Sequence, residues 1–335
     1  MRKIINNPKD FVDEMIEGIL EAHFDQVTIV NKDLRCMVRS DAKKSDKVGI
    51  STGGGSGHLP LFLGYVGKGM LDGCAVGNVF ASPSSNKMLS ITREINSGKG
   101  VLYIYGNYGG DLLNFNSAAD LAGMEDIRVE QIIANDDVAS SPKGQEEDRR
   151  GVAGIFYVYK TAGAYAEEGA SLDEVKRIAK KTCDNVRTMG VGLSSCIIPE
   201  VGKPTFEMNE GEMEIGIGIH GEPGIGKGKI ESSDEIVEKI IKTILDDLPY
   251  KSGDEVSVLI NGLGATPLEE LYIAYRKVAQ ILKENKIKIY HPYIGEFATS
   301  MEMAGMSISL LKLDNELKNL LRKPARTPFF EQCQL

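Results

Sequence analysis

Three reactive side chains in this sequence sit inside glycine-rich stretches. His220 lies in "GIGIHGEPG" (216–224), His58 closes "GGGSGH" (53–58) and Asp111 follows Gly110 in "GNYGGDLLNF" (106–115). An imidazole can serve as a nucleophile or carry a proton, and a carboxylate can take one. Flanking glycines leave backbone amides open and let a ligand approach closely. Each residue also has a bland reading. A lone histidine is often a hydrogen-bonded structural residue, and Asp111 stands where it could cap the stretch "LLNFNSAADLA". Their convergence is the unusual feature. Each lies at or beyond the end of a strand-like segment, where open α/β sheets bind ligands.

Two familiar phosphate signatures nearly fit the His220 stretch. Gly216-x-Gly218-x-x-Gly221 matches the dinucleotide fingerprint, but Pro223 and more glycines follow where a helix should open. Gly221 to Lys227 matches the start of a phosphate loop, but Gly228 stands where the magnesium-binding Ser or Thr belongs. Neither nucleotide motif is complete. His23 and His291 lie in no such motif and read as structural.

The elements that must position these loops alternate. Residues 8–23 read as a helix, with Phe11, Val12, Met15, Ile16, Ile19 and Leu20 at helical spacing. "KVGIS", "VLYIYG" and "RVEQIIA" read as strands, each running into a polar or glycine-rich loop. A helix is expected over 151–168. Ser171 to Glu174 forms a capping box opening another, to Met189. Beyond residue 190, "MEIGIGIHG", "EVSVLING", "KIKIYHPYIG" and "SISLLKL" read as strands. Between them lie helices over 234–248 and 267–285, the latter with Thr266-Pro267 as N-cap and first residue. Strand–helix alternation in both halves predicts two α/β domains, each a mixed sheet flanked by helices, over 1–189 and 190–335.

Composition narrows the function. A length of 335 residues suits two domains. A net charge of −9 without a long basic block argues against a large nucleic-acid surface. The start, "MRKIINNPKDFVDEM", lacks the apolar core of a signal peptide, and no run suits a membrane span. Five cysteines without a C-x-x-C pair make a disulfide framework or zinc site unexpected and point to the cytoplasm.

At the glycine motifs the sequence resembles the substrate-binding subunit of the dihydroxyacetone kinase family. The resemblance runs nearly end to end, through "GGGSGH", "GMLDG" (69–73), "VFASPS" (79–84), "GNYGGDLLNF", "NDDVA" (135–139) and "RRGVAG" (149–154). It continues through "VGKPTFE" (201–207), "GIGIHGEPG", "LGATPLEELY" (263–272) and "RTPFF" (326–330). It implies a homodimer that holds a short ketose covalently on His220, in the C-terminal domain, as a hemiaminal. Asp111 is then the base near the terminal hydroxyl and His58 a hydrogen-bonding partner of the substrate. Gly55, Ser56, Gly57, Ser82 and Gly106 complete the implied pocket. The chemistry suits the residue types. A neutral imidazole nitrogen adds to a ketone carbon, and the adduct lacks the nitrogen proton needed to go on to a neutral imine.

The resemblance also implies that no nucleotide is bound by this chain. The family's nucleotide-binding helical domain, with its magnesium-binding aspartates, has no counterpart here. ATP or ADP with Mg²⁺ is expected on a separate helical subunit, in some systems recharged by a phosphotransferase-system phosphocarrier. Some family members instead bind the ketose as transcriptional coactivators. Two positions depart from the family's pattern. Leu59 replaces the usual Glu after the first-loop histidine, and Gly106 replaces a Lys common before "NY". The pair reads either as loop drift or as a roomier, less charged pocket for a four-carbon ketose such as erythrulose.

Overall fold

A computed structural model describes residues 3–42 and 46–335. By contacts the chain divides into two units. One comprises the chain up to Ala134, Phe156–Thr182 and Leu317–Leu335; the other comprises Asn135–Ile155 and Cys183–Glu316.

The first unit is built on a six-stranded mixed sheet. Its strands are β1 (Val27–Val30), β2 (Asp33–Arg39), β3 (Gly49–Ser56), β4 (Gly73–Val79), β5 (Val101–Gly106) and β6 (Val129–Ala134), in the order β1-β2-β4-β3-β5-β6. β4, β3, β5 and β6 run parallel; β1 and β2 add an antiparallel edge. The unit's helices include α1 (Phe11–Ala22), α2 (Ser85–Ile95), α3 (Gly109–Gly123), α4 (Ile155–Glu167) and α5 (Leu172–Asn185). α2 and α3 bury Met88, Ile91, Ile95, Phe115 and Ala118 in a cluster with Val101, Tyr103 and Tyr105 of β5. The Tyr105 and Phe115 rings stack at 4.0 Å, packing the second turn of α3 against the end of β5.

The second unit has its own mixed sheet. β7 (Val186–Gly192), β8 (Glu212–Ile215), β9 (Gly226–Lys229), β10 (Glu255–Gly262), β11 (Lys288–Gly295) and β12 (Gly305–Leu313) lie in the order β11-β10-β12-β7-β8-β9. Among these six strands β10 and β11 pair in parallel and the other neighbours antiparallel. Helices α6 (Ser233–Asp247) and α7 (Leu268–Glu284) bury Val237, Ile240, Ile244, Ala274, Val278 and Leu282 in one core with Val258, Ile260, Ile308 and Leu310. α6 opens on a full capping box between Ser232 and Glu235.

Several expectations shift. The α5 helix stops at Asn185, because the next seven residues pair along β12 as β7. Thr266 is not an N-cap. Its hydroxyl donates to Gly305 O and accepts from Gly305 N, and Pro267 takes the cap position. The strand expected over "MEIGIGIHG" ends at Ile215, since Gly216 turns to φ +78°. The contact division also differs from a single boundary at 189/190. Met189 lies within β7, residues 135–155 join the second unit, and Leu317–Leu335 return to the first. Thr188 N donating to Asp136 O and Arg326 N donating to Lys68 O are the links that carry those segments across.

Candidate active site

In the first unit the expected residues gather at the carboxyl ends of parallel strands β3 and β5. Gly55 and Ser56 end β3, Gly57 turns at φ +103°, and His58 follows. A Cβ on Gly55 would lie 2.6 Å from Ala81 N and 2.7 Å from Phe80 Cα, so only glycine lets this strand pass the 79–84 loop. Ser56 Oγ donates to Gly77 O at 2.8 Å, and its carbonyl accepts from Phe80 N at 3.0 Å.

His58 is 1% exposed. Its ring stacks on Phe80 at 4.9 Å and meets the edge of Phe62 at 6.0 Å. Both phenylalanines hold left-handed backbone, at φ 58° and 67°. Strain of this kind costs about 1–3 kcal/mol per residue and persists where the surroundings over-determine it. Here it holds one aromatic ring stacked on the imidazole and a second edge-on to it. Leu59 follows, partly exposed.

Gly106 is the last residue of β5, and α3 begins three residues later. Asp111 lies in the first turn of α3 and is 7% exposed. There the amide dipoles of the helix favour its anion. Burial first, and the Asp111 charge second, push the Tyr105 hydroxyl up to about 12. The Tyr159 hydroxyl, fully buried and raised, is bonded to Thr52 Oγ1 at 2.8 Å and also feels Asp111. Ser82 connects the two loops. Its Cβ would lie 3.2 Å from a Cβ on Gly110, and its hydroxyl accepts from Asn114 Nδ2 at 3.2 Å. The sequence reading missed Asn114, Phe62 and Phe80, whose roles rest on contacts between separate loops.

His220 belongs to the second unit. It lies in the loop joining β8 to β9, in a hairpin whose last pair is Ile215 with Gly226. Its Nδ1 lies 2.6 Å from Glu222 Oε1, and its backbone N donates to Glu222 Oε2 at 2.9 Å. One carboxylate thus holds both the ring and the main chain. Burial raises the Glu222 pKa, but the hydrogen bond and charge of His220 outweigh it and bring the carboxyl down to about 2. An ionised Glu222 only accepts, so when the ring is neutral its proton lies on Nδ1 and the lone pair on Nε2. The spacing His-x-Glu was the available signal for Glu222, and the sequence reading did not use it.

The two other histidines have structural settings. His23 packs on Phe329 and lies 3.5 Å from Gln26 Nε2; His291 lies in β11 against Tyr293. Among the described residues, no group of three or more His, Cys, Asp or Glu side chains is placed to hold a metal ion. No helix among them is long and apolar enough to cross a membrane.

Residues 17–329 match the Dak1 domain. The chain is 46% identical over 331 residues to the dihydroxyacetone-binding subunit of a PTS-dependent dihydroxyacetone kinase from Listeria innocua, covering 99% of each. It is 40% identical to an L-erythrulose kinase from Pectobacterium atrosepticum, covering 99% of this chain and 56% of that protein. A solved dihydroxyacetone kinase operon co-activator matches the fold with a TM-score of 0.90 at 33% identity, over 96% of this chain and 98% of the other.

Proposed function

The chain belongs to the Dak1 domain family, and from that premise we propose that it is the ketose-binding subunit of a dihydroxyacetone-type kinase. The observation that carries the reading is the His220–Glu222 pair, since with the ring neutral it puts the lone pair on Nε2. Nε2 adds to the ketone carbon, and the C=O π pair moves onto oxygen. The ring, now bonded at both nitrogens, gives up its Nδ1 proton on the side held by Glu222, and the alkoxide takes a proton. The product is a neutral hemiaminal. It has no nitrogen proton left to form a neutral imine, so capture stops there and remains reversible. A carbonyl is required, so polyols such as glycerol are rejected.

Asp111 takes the proton of the substrate's terminal hydroxyl as that oxygen attacks phosphorus, and His58 hydrogen-bonds the bound ketose. Gly55, Ser56, Gly57, Ser82 and Gly106 shape the pocket. The phosphoryl group comes from ATP with Mg²⁺ on a separate helical subunit, where in some systems a phosphotransferase-system phosphocarrier recharges the bound ADP. Positioning and electrostatics supply most of the catalysis in such transfers. The working form is a homodimer in the cytoplasm.

A second reading, a ketose-sensing co-activator, is favoured by the match to the operon co-activator. A sensor needs His220 but has little use for a base in the first turn of α3. Asp111→Asn decides between the two when assayed with the helical subunit and dihydroxyacetone. A kinase subunit retains ketose capture and loses about 10²–10⁴-fold in phosphoryl transfer. Undiminished turnover would leave Asp111 with no more than its place in the first turn of α3, and absence of turnover in the parent protein would favour the sensor.

A further inference from the structure

The motifs "NDDVA" (135–139) and "RRGVAG" (149–154) have no part in the chemistry above. In the second unit they clasp each other. Arg150 Nε and Nη2 both donate to Asp137 Oδ2, at 2.9 and 2.7 Å, and Asp137 N donates to Arg150 O at 3.1 Å. Asp137 Oδ1 accepts from Ala139 N at 3.0 Å. Ser140 Oγ accepts from Arg150 N at 3.0 Å and donates to Asp137 O at 2.8 Å. Asp137 is 2% exposed. A guanidinium fork on a dry carboxylate is held in one geometry, because separating the pair would strand a buried charge.

The other donors of Arg150 enter the loop that carries His220. Nη2 donates to Gly216 O at 2.9 Å, and Nη1 reaches Pro223 O at 3.5 Å. These carbonyls stand on either side of His220 in the chain. A Cβ on Gly218 would lie 2.6 Å from Nη1, so the guanidinium fills the space inside the loop. Ala139 presses from the same clasp, 2.4 Å from where a Gly216 Cβ would sit. The β8–β9 ladder stops at Ile215 and Gly226, so the residues between have no strand pairing to hold them. Gly216 N donates to Gly190 O at 2.7 Å and Gly218 N to Glu222 O at 3.0 Å, and inside these bonds the loop is closed around Arg150.

We propose that Arg150, fixed by Asp137, is a positioning residue for ketose capture: it sets the conformation of the 216–223 loop and so the direction from which His220 Nε2 meets the carbonyl. The inference rests on His220 being the capturing nucleophile. Arg150 acts through the loop backbone, not on reacting atoms. Lysine cannot replace it. A single ammonium cannot grip one carboxylate through two nitrogens and also brace carbonyls on both flanks of the loop.

The test uses the whole chain with the helical nucleotide subunit and dihydroxyacetone as the probe. Adduct occupancy is read by native mass spectrometry, and KM and kcat are measured separately. Misplacing a reacting group by about 1 Å costs on the order of 10²-fold, so Arg150→Lys should raise KM about 10- to 100-fold and lower occupancy to match. Turnover at saturating dihydroxyacetone should stay near the parent's. Asp137→Asn, nearly isosteric, should move KM in the same direction, and it provides the readout if Arg150→Lys folds poorly. An unchanged KM and occupancy in both variants would overturn the inference, as would a fall in kcat alone, which reports loss of folded protein. If the parent itself shows no adduct, the His220 reading fails first and takes the inference with it.

Discussion

Substituting Gly218 by alanine tests the orientation of His220 with a single methyl group. Gly218 lies outside the left-handed backbone region, so alanine needs no unusual conformation there. Its Cβ would sit 2.1 Å from Glu222 Oε2 and 2.6 Å from Arg150 Nη1. Both atoms are the far ends of side chains, so they yield before the main chain does. The carboxylate must retreat by roughly 1 Å to reach ordinary contact. The 2.6 Å bond from Nδ1 to Oε1 then lengthens beyond hydrogen-bonding range. A hydrogen bond to a charged group contributes about 1.5–3 kcal/mol, so capture should weaken roughly 10- to 150-fold. The assay is a dihydroxyacetone titration followed by native mass spectrometry, with a thermal melt alongside. Tm should move by less than about 3 °C. Undiminished capture by the alanine variant would refute the argument that Glu222 fixes the tautomer and aim of His220.

Two further substitutions probe the first unit. Gly55→Ala places a Cβ against the Phe80–Ala81 backbone, which cannot step aside; it should cost about 1–3 kcal/mol and lower Tm by several degrees. An unchanged melt would remove the steric reason for that glycine. In the proposed ketose pocket, Leu59 is apolar and Gly106 has no side chain. A four-carbon ketose should therefore be phosphorylated more efficiently than dihydroxyacetone, by about 10- to 200-fold in kcat/KM. Leu59→Glu with Gly106→Lys should shift preference back towards the triose. A parent enzyme that prefers dihydroxyacetone would defeat this size argument and leave the kinase reading standing.

The parts of the fold legible in the sequence were those with strong local patterns. α6 and α7 carry full apolar stripes, and β5 and β10 are largely apolar runs ended by glycine. Misreadings came where tertiary contacts overrode the local signal. "GIGI" alternates like a strand, yet Gly216 packs on Ala139 in a conformation that ends β8. Val186 follows α5 with no glycine or proline between, and only pairing with β12 makes it a strand. The site divides the same way. His58, Asp111 and His220 stood out because glycines surround them. Asn114 and Arg150 did not, because their partners lie 32 and 66 residues away in the chain.

The central claim is that His220 captures a ketose through Nε2. Native mass spectrometry of the parent chain with dihydroxyacetone, without borohydride, measures it directly, with His220→Ala as the comparison. The account predicts a mass gain of one intact ketose, with no loss of water, in the parent and none in the variant. An adduct retained by His220→Ala, or a parent adduct lighter by one water, would contradict it.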